Sequence, residues 1–261
     1  MTPGAALITG ASKRLGRAMA LDLAATGWDI VIHYNSGAAR AEEVAQECAS
    51  HGVTSVTLGA DLLSEEETAG LVSRAVEAIG RPLTLLINNA SIFEYDTIES
   101  ATMESWERSI GSNLRAPFQL AQTFAAQAPA AFIDAAGEPV AQAAIINMID
   151  MRVRKPTPEF MTYSIAKAGL WAFTQTAAQG LAPRVRVNGI GPGPTMQGER
   201  QSAQHFADQR AATILERGSD PGEICAAMRF ILSVPGFTGQ LLCMDGGQHL
   251  AWKTPDVLGV E

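Results

Sequence analysis

Short, almost unbroken apolar runs alternate along this chain with longer stretches whose apolar positions recur at helical spacing. The runs are Ala5–Thr9, Asp29–Tyr34, Ser55–Gly59, Leu83–Asn88, Ala144–Met148, Arg184–Gly189 and Gln240–Met244. Continuous rather than alternating hydrophobicity predicts strands covered on both faces, the usual state of strands in a parallel sheet. Between them the pattern predicts helices over Arg14–Thr26, Ala38–His51, Ser64–Ile79, Thr102–Gln127, Phe160–Leu181 and Asp220–Ser233. Ser64 followed by Glu67 reads as a capping box, and Gly27, Gly52 and Gly80 stand where helices stop. Strand–helix alternation from end to end predicts right-handed crossovers and a doubly wound α/β fold with a mostly parallel, seven-stranded sheet. No linker, repeat or charge block divides the chain, so residues 1–261 are read as a single domain.

Composition narrows the class. Of 261 residues, 47% are hydrophobic and 18% charged, which excludes a disordered chain. Nineteen basic against 27 acidic residues leave a net charge of −8, which argues against nucleic acid or an anionic membrane as the main partner. A local basic pocket for a small anion remains compatible with that balance. No apolar stretch approaches the ~18–20 residues that cross a bilayer, and Met1–Ala6 lacks the basic start of a signal peptide. Cys48, Cys225 and Cys243 show no ligand spacing. They are read as buried thiols of a reduced, cytoplasmic protein, with no zinc, other metal or disulfide framework expected.

Candidate chemistry begins at Thr9–Gly16, between the first strand and the first helix. A dinucleotide-binding turn needs glycines where the backbone bends tightly and approaches a pyrophosphate, with helix N–H groups facing the charge. Gly10 and Gly16 meet that need, while Arg14 stands where a further glycine is expected. The second strand ends His33-Tyr34-Asn35-Ser36, with no carboxylate before Glu42 to hold an NAD ribose. His33, Asn35 and Ser36, with cations such as Lys13, Arg14 or Arg40, are instead expected to hold a 2′-phosphate, which favours NADP(H). Further on, Tyr163 and Lys167 lie one turn apart on one helix face. A phenol and an ammonium so placed suit proton delivery during hydride transfer, the cation being expected to lower the phenol's pKa.

With Asn88-Asn89-Ala90, Asn113, Pro192-Gly193 and Asp245-Gly246-Gly247 added, the chain resembles the short-chain dehydrogenase/reductase superfamily over almost its whole length. The resemblance implies a Rossmann-type domain whose cofactor lies along Gly10, Lys13, Arg14, Leu15, Gly16, His33, Tyr34, Asn35, Ser36, Asp61, Leu62, Asn89, Ala90, Ser91, Met148, Tyr163, Lys167, Pro192 and Gly193. It further implies that Asp61 contacts the adenine, that Asn113 holds a helix kink and a proton-relay water, and that Lys167 grips the nicotinamide ribose. The family's catalytic serine lies thirteen residues before the tyrosine, and Asp150 stands there instead. A hydroxyl suits polarising a ketone oxygen, whereas a carboxyl beside a phenol suits protonating a ring nitrogen. Arg14, Ser91, Phe93 and the stretch Ile145–Asp150 are similar to the pteridine reductase branch, and Asp245–Leu250 to the dihydromonapterin and dihydrofolate reductase branch. The branch implies Phe93 as a ring that stacks a pterin against the nicotinamide, with Arg14, Ser91, Asp150 and Tyr163 around the pterin edge.

The expected activity is therefore NADPH-dependent reduction of a C=N bond in a pterin or dihydropterin, with Asp150, Tyr163, Lys167 and Asn113 as the catalytic group. Two alternatives stand beside it: a general short-chain carbonyl or alcohol oxidoreductase, and an idle NADP(H)-binding sensor. Arg152, Arg154 and Lys155 form a cation cluster that could receive an anionic tail or serve as a solvated loop or subunit contact. Residues 192–215 are read as a substrate lid. Apolar residues beyond one core stripe on the two long central helices, among them Phe124, Trp171 and Phe173, agree with the homotetramer the resemblance implies.

Overall fold

Each of the apolar runs forms a strand in the structure, a computed structural model that describes residues 1–198 and 200–254. They are β1 (Ala5–Ile8), β2 (Asp29–Tyr34), β3 (Ser55–Gly59), β4 (Leu85–Asn88), β7 (Ala143–Met148), β8 (Val185–Pro192) and β9 (Leu241–Met244). All neighbours pair in parallel, in the order β3-β2-β1-β4-β7-β8-β9. The order reverses at β1, between β1 and β4, the switch point at whose carboxyl ends sheets of this kind bind ligands in a crevice.

Burial explains the continuous runs. Ile8, Ile32, Ile87 and Ile146 face one core with α1 (Arg14–Ala25), α2 (Ala38–Ala49) and α8 (Pro221–Ser233). Leu7, Val31, Leu86 and Ile145 face the other, with α3 (Glu65–Ile79), α5 (Ala116–Gln127) and α6 (Met161–Leu181). Successive residues in the middle of these strands thus serve one layer and then the other. Among the described residues, no helix is long and apolar enough to cross a membrane.

The helix expected over Thr102–Gln127 is divided. It runs as α4 (Met103–Ile110), a five-residue π turn (Gly111–Arg115) and α5. A π turn adds a residue to the turn and pushes side chains out of helical register, a feature frequent at functional sites. Strand β4 starts two residues later than expected, and β8 runs on to Pro192. A hairpin of β5 (Phe132–Ile133) and β6 (Pro139–Val140), and helix α7 (Ala203–Ala211), had no signal in the apolar pattern. Phe124 is fully buried in the core rather than surplus to it. Cys48 and Cys225 are buried, and Cys243 is half-buried.

Candidate active site

The crevice is lined by residues at the carboxyl ends of the strands. After β1 the chain turns at Gly10, whose φ of 63° is open to glycine at no cost. A Cβ there would lie 3.1 Å from Ala90 Cα. Gly16, in the first turn of α1, is tighter still: its Cβ would stand 2.4 Å from the Gly10 carbonyl oxygen. Arg14 itself has a φ of 53°, the left-handed conformation that explains why glycine was expected there. Its guanidinium donates to the carbonyls of Gln197 (2.8 Å) and Met196 (3.2 Å), tying the turn to the segment after β8. No side chain caps α1 and its first turn carries no acid, which leaves that turn electropositive.

Around this turn stand the other expected cofactor residues. Lys13, Asn35 and Ser36 are exposed beside it, Leu15 is half-buried, and Tyr34 lays its ring against Gly59. Asp61 is half-buried and accepts the Leu63 N–H at 3.0 Å, next to buried Leu62. Asn89 donates to the carbonyls of Thr9 (2.8 Å) and Gly10 (3.2 Å), while Ala90 N–H donates to Thr9 Oγ1 at 2.9 Å. Gly193, after Pro192, lies so close to Asp245 that a Cβ would approach its Cβ to 2.6 Å.

His33 departs from expectation. The ring is 1% exposed, its Nδ1 accepts the Gly10 N–H at 3.1 Å, and Nε2 donates to the Ala60 carbonyl at 3.0 Å. Burial pushes its pKa down to about 4. Both nitrogens are used inside the protein and the ring is neutral, so it props the glycine turn and does not hold a phosphate. Asn35 and Ser36 are exposed at the end of β2.

The catalytic candidates come together at the ends of β4 and β7 and the start of α6. Tyr163 Oη donates to Asp150 Oδ2 at 2.8 Å, and Asp150 Oδ1 accepts the Arg152 N–H at 2.8 Å. Lys167 is fully buried and donates to the Met148 carbonyl at 2.7 Å. Asn113 sits in the π turn, where Nδ2 reaches the Ile92 and Ser109 carbonyls and Oδ1 accepts the Ser91 hydroxyl at 2.7 Å. The extra residue of the π turn is what turns this side chain inward.

The electrostatics correct one expectation. Burial, with the charge of Asp150 second, pushes the Tyr163 phenol well above its usual range. Lys167 does not offset this; its ammonium lies 5.6 Å from the centre of the phenol ring and burial brings its own pKa down to about 8. Burial also raises the Asp150 carboxyl, against the pull of its donors. The result is a proton-rich pair, a phenol held protonated beside a carboxyl of weakened acidity.

Over this pair lies an aromatic wall. Phe93 stacks on Phe160 with ring centres 4.2 Å apart and planes 7° from parallel, and meets Tyr163 edge-on at 4.7 Å. Tyr95 closes on Phe160 edge-on at 5.3 Å. Arg200 donates to the Phe93 carbonyl and lies over the Phe93 ring, as Arg152 does over Phe160. The expected cation cluster is dispersed: Arg152 holds Thr157, Arg154 lies over Trp171, and Lys155 reaches the Ala251 carbonyl at 3.4 Å. Phe160, Tyr95 and Arg200 were not anticipated. Phe160 stands one turn before Tyr163, a spacing that places it on the same helix face; the other two carry no comparable signal.

Comparison with known proteins agrees with this arrangement. The family model described as short chain dehydrogenase matches residues 4–207. A 3-oxoacyl-[acyl-carrier-protein] reductase of Synechocystis sp. is 30% identical over 95% of this chain and 97% of its own. The FolM alternative dihydrofolate reductase 1 of Brucella suis, solved in complex with NADP, is 36% identical with a TM-score of 0.90, covering 98% of this chain and all of that one. Its Brucella canis counterpart, complexed with NADP, is 35% identical with a TM-score of 0.88, over 98% of each chain.

Proposed function

As this chain belongs to the short-chain dehydrogenase family, we propose that it is an NADPH-dependent reductase of a C=N bond in a pterin or dihydropterin. It is an oxidoreductase, and NADP(H) is its cofactor: the glycine cradle, the acid-free first turn of α1 and the absence of a carboxylate after β2 fit that group. The observation that carries the substrate reading is the Tyr163–Asp150 hydrogen bond of 2.8 Å, at the position where a hydroxyl would serve a ketone.

When bound, NADPH supplies the hydride. Everything else falls to the chain. Asn35, Ser36 and Lys13 hold the 2′-phosphate end, Asp61 and Leu62 the adenine end, and Asn89, Ala90, Met148, Pro192 and Gly193 line the path toward nicotinamide. Lys167, anchored on the Met148 carbonyl, holds the ribose. Phe93, backed by Phe160, stacks a flat heteroaromatic ring once Arg200 swings off its other face, and Arg14 and Ser91 meet the ring's edge. Tyr163 is protonated at neutral pH, as any phenol is, and burial and Asp150 move it further in that direction. It delivers the proton, hydrogen-bonded to Asp150, to the ring nitrogen as hydride reaches the neighbouring carbon. Asn113 and Ser91 orient the phenol and relay its replacement from solvent. Residues 192–215 act as the lid, and Arg14 engages them through Met196 and Gln197. The exposed Phe118 and Ile165 lie on a helical face suited to pairing copies in a homotetramer.

A second reading, reduction of a carbonyl, is favoured by relatives named 3-oxoacyl-[acyl-carrier-protein] reductase. NADPH consumption with 7,8-dihydrobiopterin, dihydromonapterin, dihydrofolate and a panel of ketones separates the two. Turnover on a pterin is expected, falling about 100-fold or more in Asp150→Ser and Tyr163→Phe while NADPH still binds, the range of a lost general acid. Turnover on ketones alone, or a pterin activity indifferent to Asp150→Ser, would overturn the proposal.

A further inference from the structure

Helix α6 begins without a cap of its own. Its N-cap residue, Phe160, takes a φ of 56° and has no side-chain oxygen, so the first N–H groups must find acceptors elsewhere. They find them on Asp96, 66 positions earlier in the chain. The Thr162 N–H donates to Asp96 Oδ1 at 3.2 Å, and the Thr162 hydroxyl donates to Oδ2 at 2.6 Å. Ser105 Oγ donates to the same oxygen at 3.3 Å, and the Met161 N–H reaches the Asp96 carbonyl at 3.4 Å. Asp96 is 3% exposed, and no salt bridge among the described residues includes it. A buried carboxyl group needs hydrogen-bond partners in place of its water, and here the first turn of α6 supplies them.

The same residue ends the segment that carries Phe93 and Tyr95. One side chain therefore fastens the loop bearing two rings of the aromatic wall to the turn bearing Phe160 and Tyr163. The polar contacts continue inward: Thr162 Oγ1 meets Ser109 Oγ at 2.8 Å, and the Ser109 carbonyl accepts from Asn113 Nδ2 at 3.0 Å. We infer that Asp96 is a positioning residue, the clamp that fixes the Phe93–Phe160 wall against the Tyr163 hydroxyl and so sets how a flat substrate meets its proton donor. This rests on the reading of Tyr163 as that donor.

The experiment uses the full chain with NADPH, in the variants Asp96→Ala, Asp96→Asn and Thr162→Val. It reads turnover of 7,8-dihydrobiopterin and of a ketone, NADPH affinity, and hydrogen exchange of amides along α6. Asp96→Ala is expected to lower kcat about 100-fold, the scale of an ångström's misplacement, with NADPH affinity unchanged within about twofold and faster exchange confined to residues 160–165. Asp96→Asn keeps an acceptor for the Thr162 N–H, so it is expected to recover most of the loss. Thr162→Val, which keeps the backbone donor, is expected to lose about tenfold. Should Asp96→Ala fail to fold, the last two variants carry the comparison. Unchanged kcat in the variants, a fall that tracks lost NADPH binding, or an asparagine no better than alanine would overturn the clamp. If the protein reduces only the ketone, the pterin reading fails, and the exchange pattern and ketone kinetics still decide the role of Asp96.

Discussion

His33 illustrates how a single buried side chain can carry a pH dependence far from any chemistry. Burial holds its imidazole down to about 4, from an ordinary value of 6.5. The unfolded chain therefore binds this proton more readily than the folded one. The stability that follows is complete above about pH 6.5 and drains away as pH falls toward 4. Between pH 7 and pH 5 this group alone is worth about 2 kcal/mol. Urea unfolding at both pH values should show a drop in the native protein that exceeds the drop in His33→Gln by about that amount, and equal drops would refute the account. His33 also marks where residue-level reading stopped. A histidine at a strand end looks identical in sequence whether its ring points to solvent or, as here, is locked between Gly10 and Ala60. The Tyr163–Lys167 pair was legible from its spacing, but the direction of the phenol's pKa was not, because burial is a property of the assembled site. Asp96 gave no sign at all, since the helix start it caps lies more than 60 positions away.

At the scale of elements, the sequence reads well wherever the cause of the structure is local. Ser64 caps α3 through the Glu67 N–H, half of the expected capping box; the Glu67 carboxylate accepts the Asp61 N–H at 2.9 Å instead of closing on Ser64. Gly80 ends the helix with a left-handed φ of 74°, and the capping box of Asp220 and Glu223 opens α8. The sheet strands follow from burial on both faces. The π turn escapes such reading because nothing in Gly111–Arg115 forbids an ordinary helix; tertiary bonds from Asn113 to the loop before it hold the wider turn. Helix α7 escapes because it buries none of its residues, so it lacks an apolar stripe. One prediction belongs here. A glycine-to-alanine change within a helix ordinarily stabilises it by up to about 1 kcal/mol. At Gly16 the new methyl would stand 2.4 Å from the Gly10 carbonyl oxygen and 2.9 Å from Ala11 Cα, both backbone. Gly16→Ala is expected to weaken NADPH binding by about tenfold or more, since about 1.4 kcal/mol of distortion in the turn suffices. Titration of NADPH fluorescence gives the answer, and unaltered affinity would mean that the turn does not seat the cofactor.

The whole molecule adds what neither level contains. Phe118 and Ile165 are 45% and 42% exposed on neighbouring helices, and the Phe118 ring packs edge-on to Phe173 across them. If this face joins copies of the chain, as proposed above, Ile165→Glu should lower the mass seen by light scattering toward that of a smaller species. A mass unaffected by the charge would move the interface elsewhere. Arg14 has a different reach. Its backbone belongs to the turn at the foot of α1, and its guanidinium grips the Met196 and Gln197 carbonyls, 182 and 183 positions away. If the turn seats the nucleotide and the Met196–Gln197 segment closes on substrate, as proposed above, this arginine couples the two sites. Thermodynamics makes such a coupling reciprocal: the factor by which the nucleotide tightens the hold on the second ligand is the factor by which that ligand tightens the hold on the nucleotide.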